Sequence, residues 1–578
     1  MTVVLKTLKS IRVTAARWLP VRAAPRRRED LATQTRDRLI VVMCGVVAVF
    51  SIIQGRLVYL AADDVTGPRA RIGADMAIEA TRPRILDRNG QVMALDIETQ
   101  SLFAEPKLIE RAQETYDMLA TVLPDLPEEK LVKRLKGDAG FIWVKRELTP
   151  RQQADILALG LPGIGFRPET KRYYPGGATA SHILGHTNID NQGIAGIEKH
   201  LDDSWLRDFH AAGFGVKKEL KPVQLSVDMR VQHFVRQALV TAMEKYRAIA
   251  AAGVVLDANT GEVIAMSSLP DYDPNNPVDA LKKDRLNRMS AGLFEMGSTF
   301  KTFTTAMALD SGKVNLRSRF DATKPLRIGR FTINDFHGKR RVLSVPEVFI
   351  YSSNIGTAKM ADVVGIPGHK EFLTRIGLLD KMQGFELPEV AKPTQPKKWK
   401  KVNSITISYG HGVSTTPLQT AVAAASLVNG GRLIPPTLFP RSADAAAMAG
   451  KQVLKPQTTD AMRYLMRLNV LKGSGKRSDV PGFLVGGKTG TAEKVVNGRY
   501  SNDKRFNAFL ATFPVNDPRY IVLVIVDEPK PEKGKKYATA GMNAAPVVGE
   551  IVRRSAPLLG VEPDFRVRDT ATLSSYTR

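Results

Sequence analysis

Cysteine is almost missing from this 578-residue chain: Cys44 is the only one. Everything beyond residue 44 therefore lacks disulfides, thiolate zinc sites and cysteine nucleophiles, which is compatible with an oxidising periplasm. Acid is short relative to base, with 58 Asp and Glu against 84 Lys and Arg, a net charge of +26. No internal repeat is visible, which excludes solenoids and propellers. Hydrophobic residues make up 43 % and charged residues 25 % of the chain. That is ordinary globular material, enough for a sizeable core and two to four domains.

The positive charge is concentrated at the start. Residues 1–38 hold ten Lys or Arg, among them Arg26, Arg27, Arg28, Arg36 and Arg38, against three acids. Leu39 to Ala62 follows, 24 residues with the single charge Arg56. About 20 apolar residues span a bilayer as a helix, and a basic flank stays cytoplasmic. No small-residue cleavage site follows the run. The expected layout is a cytoplasmic basic tail over 1–38, an uncleaved transmembrane helix over 39–62 in the inner membrane, and an outward-facing remainder. The basic surplus then suits anionic lipid or wall polymer, and no nucleic acid is expected as a partner.

After the anchor, Asn89-Gly90 separates Ile85-Leu86 from Val92-Met93-Ala94-Leu95, a hairpin signal. Residues 108–160 read as helices mixed with charge, and Tyr173 to Gly177 as a loop. Val223 to Asp228 alternates like a strand, and a long amphipathic helix follows over about 229–247. Gly253 to Asp257 and Val263 to Met266 flank Asn259-Thr260-Gly261 as a second hairpin. Val495 to Tyr500 carries an Asn497-Gly498 turn, and Phe506–Phe513 and Tyr520–Val526 read as strands. The lysine clusters at 397–401 and 530–536 look like solvated loops. The fold class expected is α+β, with a mainly antiparallel sheet flanked by helices. The boundaries expected are an elongated, non-catalytic pedestal over 63–222, a catalytic domain over 223–560 and a disordered tail over 561–578.

Three short patterns carry chemistry. In Gly297-Ser298-Thr299-Phe300-Lys301, the apolar residues Phe300, Phe303 and Met307 recur at helical spacing and Gly312 ends the run. Ser298 then lies at a helix N-terminus with Lys301 one turn on, on the same face. A serine hydroxyl needs a base to become a nucleophile, and a lysine serves when burial or a neighbouring cation lowers its pKa. By itself the pair is as well explained by a capping serine and a surface lysine. Ser352-Ser353-Asn354 adds a hydroxyl and an amide that could face one cleft, or could equally form a turn. Lys488-Thr489-Gly490-Thr491, with Gly487 before it, lies in a strand-like stretch. There glycine permits close approach, lysine supplies positive charge and the threonine hydroxyls can grip a carboxylate.

Occurring together and in this order, S-x-x-K, S-x-N and K-T-G resemble the signature of penicillin-recognising serine enzymes. The resemblance is to the class B penicillin-binding proteins. Asn287-Arg288 and Glu295 precede the serine as in that family, although Met296 stands where proline is common. Tyr173 to Glu198, with His182, Gly185, Asn188 and Gly196-Ile197-Glu198, resembles the stretch before the family's catalytic domain. So does Arg84 to Gly90, although Pro83-Arg84 replaces the usual Arg-Gly order. Tyr409-Gly410-His411-Gly412, Thr416-Pro417-Leu418-Gln419 and Lys488 to Lys494 resemble the family's cell-division branch rather than its elongation branch.

The resemblance implies a peptidoglycan D,D-transpeptidase of the septal wall, inhibited by β-lactams and using no cofactor or metal. Ser298 would attack the penultimate D-alanine carbonyl of a stem peptide with Lys301 as base. The backbone N–H groups of Ser298 and Thr491 would form the oxyanion hole. Ser352 and Lys488 would return the proton, Asn354 would hold the peptide backbone, and Thr489, Gly490 and Thr491 would bind the terminal carboxylate region. Implied partners are stem peptides and their lipid-linked precursor, β-lactam antibiotics, a membrane glycosyltransferase of the FtsW-like SEDS type and other divisome proteins. No acidic glycosyltransferase motif lies between the anchor and residue 223, so glycan polymerisation needs such a partner. An elongation-type class B transpeptidase, a β-lactamase or carboxypeptidase using water, and a non-catalytic β-lactam sensor are the competing readings.

Two patterns could mislead. Gly482 to Thr489 matches a phosphate-binding P-loop literally, but such a loop must open a helix, and a hairpin is expected here instead. His182 and His186 are spaced for one metal face, yet no third ligand is evident, and a structural role is expected.

Overall fold

The computed structural model describes residues 41–54, 82–206, 220–329, 331–496, 499–535 and 537–566. Residues 41–54 are helical with exposed side chains. Among the described residues no helix is long and apolar enough to cross a membrane. The basic tail, the remainder of the expected span at 39–62, and 567–578 of the expected disordered tail lie outside the described residues.

The first sheet runs in the order β3-β2-β1-β5, with β4 on the other side of β2. β1 (Ile85–Leu86) and β2 (Val92–Ala104) form the antiparallel pair expected around Asn89-Gly90. Asp87 accepts from the backbone N–H of Asn89 and of Gln91, both at 2.8 Å, tying that turn to itself. Two helices follow, α1 (Ala112–Val122) and α2 (Glu128–Leu135). The 108–160 stretch, expected as helices mixed with charge, also holds a strand, β3 (Ile142–Leu148), which precedes α3 (Pro150–Ala158). The consecutive charges Lys145, Arg146 and Glu147 hide the strand from a hydrophobic pattern. Each is neutralised across the sheet or its surroundings: Lys145 with Asp125, Arg146 with Glu169 and Asp190, and Glu147 with Lys171. β4 (Ile164–Tyr173) pairs with β2 along its length, so Tyr173 closes a strand before the expected loop.

Val223 to Asp228 is also corrected. Only β5 (Val223–Gln224) is a strand, parallel to β1. The backbone then changes partner at nearly every step: Leu225 N–H donates to Leu86, Ser226 N–H to Leu438 and Asp228 N–H to Ile264. No single ladder forms, because this segment stitches the first sheet to the second. Nearby, Arg82 and Arg172 converge on Glu198, at 2.8 and 2.7 Å, in full burial. Arg172 also meets Asp96 at 2.9 Å, and Arg82 meets Asp202 at 2.6 Å. Gly185 and Gly196 have φ of +74° and +62°, and a Cβ on either would strike the backbone at the other. This close approach accounts for both glycines, which precede Glu198 in the chain.

The second sheet has the order β8-β9-β10-β6-β7, antiparallel throughout. Its strands are β6 (Ala250–Asp257), β7 (Val263–Leu269), β8 (Gly486–Val496), β9 (Arg499–Phe513) and β10 (Tyr520–Asp527). The tip residues 497 and 498 of the expected β8–β9 turn lie outside the described residues, and Val496 pairs with Arg499 around them. Successive side chains of a strand point to opposite faces. In β10, Ile521, Leu523 and Ile525 enter one core, while Val522, Val524 and Val526 enter another. That is why the run is uniformly apolar. α4 (Met229–Tyr246) and α7 (Ala544–Ser555) cover the second face. α5 (Phe300–Asp310) contributes Phe300, Phe303 and Met307 to the first face. The expected α+β class, with an antiparallel sheet between helices, is the one found.

Candidate active site

Ser298 sits in a 3-10 turn, Gly297–Thr299, that opens α5. Lys301 lies in the first turn of that helix and is 1 % exposed. Its ammonium does not bond Ser298 among the described residues. It donates instead to the Ser352 carbonyl at 2.5 Å and to the Ser352 hydroxyl at 3.1 Å. Ser352 has φ of +55°, a left-handed conformation that is costly for a residue with a Cβ. Lys488 reaches the same hydroxyl from β8, at 3.0 Å, and is also fully buried. One hydroxyl thus joins two lysines that are far apart in sequence.

Burial with few acceptors disfavours both ammonium ions. Lys301 is driven well below the ordinary lysine range, first by desolvation and then by the charge of Lys488, with Asp335 opposing. Burial lowers Lys488 to about 7. A neutral amine beside a serine turn is therefore accessible at neutral pH, which is what proton abstraction requires.

The following residue, Ser353, caps α6 (Asn354–Val364) by accepting from Gly356 N–H at 3.0 Å. Its hydroxyl donates to Asp335 at 2.7 Å, and Asp335 also accepts from Ile355 N–H at 3.0 Å. The Asn354 amide donates to the Asn334 carbonyl at 2.9 Å. The loop at 334–335 therefore clamps the S-x-N segment from outside. Sequence reasoning missed Asp335, since a lone aspartate in a loop carries no signal.

β8 is the edge strand of its sheet. Its free edge can pair with an extended peptide, as exposed edges do. Thr489 shares a 2.6 Å hydroxyl contact with Ser474, another residue with no sequence signal, and Thr491 accepts from Ala540 N–H at 3.2 Å. Gly490 lies against the turn that holds Ser298: a Cβ there would come within 2.5 Å of the Met296 carbonyl. Gly297 answers from the other side, where a Cβ would meet the Thr491 backbone at 2.9 Å. Two glycines let the edge strand and the serine turn touch.

Glu295 accepts from Gly412 N–H at 2.7 Å and from the Tyr500 hydroxyl at 3.3 Å, and burial raises its pKa. His411 stacks edge-on against Tyr500 at 5.4 Å. Its pKa falls to about 4 through burial and then the charge of Lys301, so it is neutral at pH 7.

The misleading patterns resolve on geometry. Lys488 lies inside a strand, where a P-loop lysine would open a helix. His182 bonds the Arg285 carbonyl at 2.6 Å, His186 meets the Tyr272 hydroxyl at 3.3 Å, and both rings pack edge-on against Tyr272.

A serine turn, two buried lysines and an antiparallel edge strand define a serine acyl-transfer centre. Comparison with known proteins agrees. Residues 251–553 match the penicillin-binding protein transpeptidase domain, and residues 77–207 match the penicillin-binding protein dimerisation domain. The chain is 40 % identical to the "Probable peptidoglycan D,D-transpeptidase FtsI" of Caulobacter vibrioides, over 85 % of this chain and 83 % of that one. It is 36 % identical to the "Probable peptidoglycan D,D-transpeptidase PenA" of Neisseria meningitidis, over 85 % and 87 %. It is 29 % identical to the "Peptidoglycan D,D-transpeptidase FtsI" of Escherichia coli, over 93 % and 95 %. The chain belongs to the class B penicillin-binding proteins.

Proposed function

We propose that this chain cross-links stem peptides of the septal wall through a serine acyl-enzyme on Ser298. The observation that carries the reading is the convergence of Lys301 and Lys488 on the Ser352 hydroxyl, both amines buried and both with lowered pKa. Lys301 in its neutral form takes the Ser298 proton as Oγ attacks the penultimate D-alanine carbonyl. The backbone N–H groups of Ser298 and Thr491 hold the developing oxyanion, an arrangement effective in a dry site. The C–N bond then breaks, and the Lys301–Ser352–Lys488 chain returns the proton to the departing D-alanine. An amine of a second stem takes the acyl group. Asn354 holds the donor backbone, while Thr489 and Thr491 hold its terminal carboxylate. Gly490 keeps that strand against the serine. β-Lactams acylate the same hydroxyl.

The membrane arrangement belongs to the same proposal: residues 1–38 in the cytoplasm, 39–62 across the inner membrane, 63–222 as pedestal and 223–560 as the periplasmic catalytic domain. Packing of α4 on the catalytic sheet, ahead of the matched stretch, supports placing that domain's start near 223. An FtsW-like glycosyltransferase supplies the glycan. The test is fluorescent penicillin labelling of wild type and Ser298→Ala in dividing cells. Stable wild-type label at midcell, absent from the variant, is expected. Release of label within seconds would make the chain a hydrolase, and side-wall label would move it to elongation.

A further inference from the structure

The S-x-N segment has an outer face that the acyl-transfer chemistry does not use. Tyr351 directly precedes Ser352, and Phe336 directly follows Asp335, the residue that clamps Ser353. Phe336 is 69 % exposed and Tyr351 36 % exposed. Residues 327–341 carry five Lys or Arg against one acid, Asp335, and Asp335 is occupied by Ser353 and Ile355. Arg341 is neutralised by Glu347 at 2.6 Å. Lys339 stands 4.8 Å over the Tyr351 ring. Among the described residues neither Lys339 nor Arg340 has a carboxylate at ion-pair distance. Two aromatic rings, one of them topped by Lys339, and two cations without a carboxylate partner thus lie on the two segments that Asn354 and Asn334 fasten together. Cations without a carboxylate partner favour an anionic chain by charge complementarity.

We propose that Phe336, Lys339, Arg340 and Tyr351 form a subsite for the acidic part of the stem peptide upstream of the reacting D-alanine. The inference rests on the transpeptidase reading. With the terminal carboxylate at Thr489 and Thr491 and the scissile carbonyl at Ser298, the rest of the stem leaves the cleft past Asn354. The residues that precede the D-alanines in a stem peptide bear free carboxylates, and this is the wall they meet. The cations supply charge, and the rings supply apolar surface for the side-chain methylenes.

The test uses the full-length protein in detergent and two D-alanyl thioester analogues of the stem. One has its upstream carboxylates free and the other has them amidated. Acylation rate constants are normalised to the fraction of enzyme titrated by fluorescent penicillin, so a poorly folded variant does not distort them. The free-acid probe should react about five- to tenfold faster in wild type, as expected for two modest charge contacts, with the advantage shrinking as salt rises. The double variant Lys339→Gln with Arg340→Gln should bring the ratio close to one. Equal rates for the two probes in active wild type, or an unchanged ratio in the double variant, would overturn the subsite and leave the loop as a surface for a protein partner. Wild type that reacts with neither thioester nor penicillin would fail the transpeptidase reading itself.

Discussion

At the residue scale, the site depends on keeping two lysines dry. Because the folded pKa of Lys301 and Lys488 lies below the ordinary lysine value, the neutral base becomes available as pH rises. Penicillin acylation by wild type should therefore climb with pH as Lys301 loses its proton and level off well below the ordinary lysine range. Rapid-quench labelling between pH 5.5 and 9 would reveal this, and a flat profile would rule it out. Asp335 offers a second test. Asp335→Asn keeps the shape but removes the charge facing Lys301 and weakens the hold on Ser353 and Ile355. Acylation should fall by roughly tenfold, the equivalent of one charge-assisted hydrogen bond, with the pH midpoint moving down because a stabilising negative charge is lost. A change in rate with no movement of the midpoint would make Asp335 a purely mechanical clamp. Ser298, Lys301, Ser352, Asn354 and Lys488 were all legible as motifs. Asp335 and Ser474 were not, since each gains meaning only from what folds against it.

At the element scale, β8 must press against the turn that carries Ser298. Gly490→Ala would push the Cβ into the Met296 carbonyl and force strand and turn apart. Displacement of about an ångström in a catalytic arrangement costs on the order of a hundredfold in rate. Penicillin acylation should drop by about that factor, while circular dichroism and melting temperature change little, because the strand keeps its pairing with β9. Unimpaired acylation would mean that the contact is slack. The elements were readable where periodicity was clean, as in α4, α5, β6, β7 and β10. β3 escaped because its charges are paired in three dimensions, and the 223–228 stretch escaped because its hydrogen bonds go to several different partners.

For the whole molecule, the buried Arg82–Glu198–Arg172 cluster is a feature that is costly to break. Both arginines and the glutamate are buried, so removing one member strands charge in a dry interior. Glu198→Ala should lower the unfolding free energy of residues 82–566 by about 3–5 kcal/mol, seen as a lower urea midpoint. Protein that remains folded should still acylate with penicillin at close to the wild-type rate. A midpoint within error of wild type would show that water or another group compensates. By itself, the sequence determined the family, the α+β class and the order of the three motifs that mark Ser298 as the proposed nucleophile, because these rest on residue type, spacing and local periodicity. Only the tertiary structure decided that Lys301 donates to Ser352 rather than to Ser298, that both lysines are dry enough to lose their protons, and that two glycines bring an edge strand onto the serine turn. Burial and contact between distant segments set those properties, and neither is carried by any stretch of chain read alone.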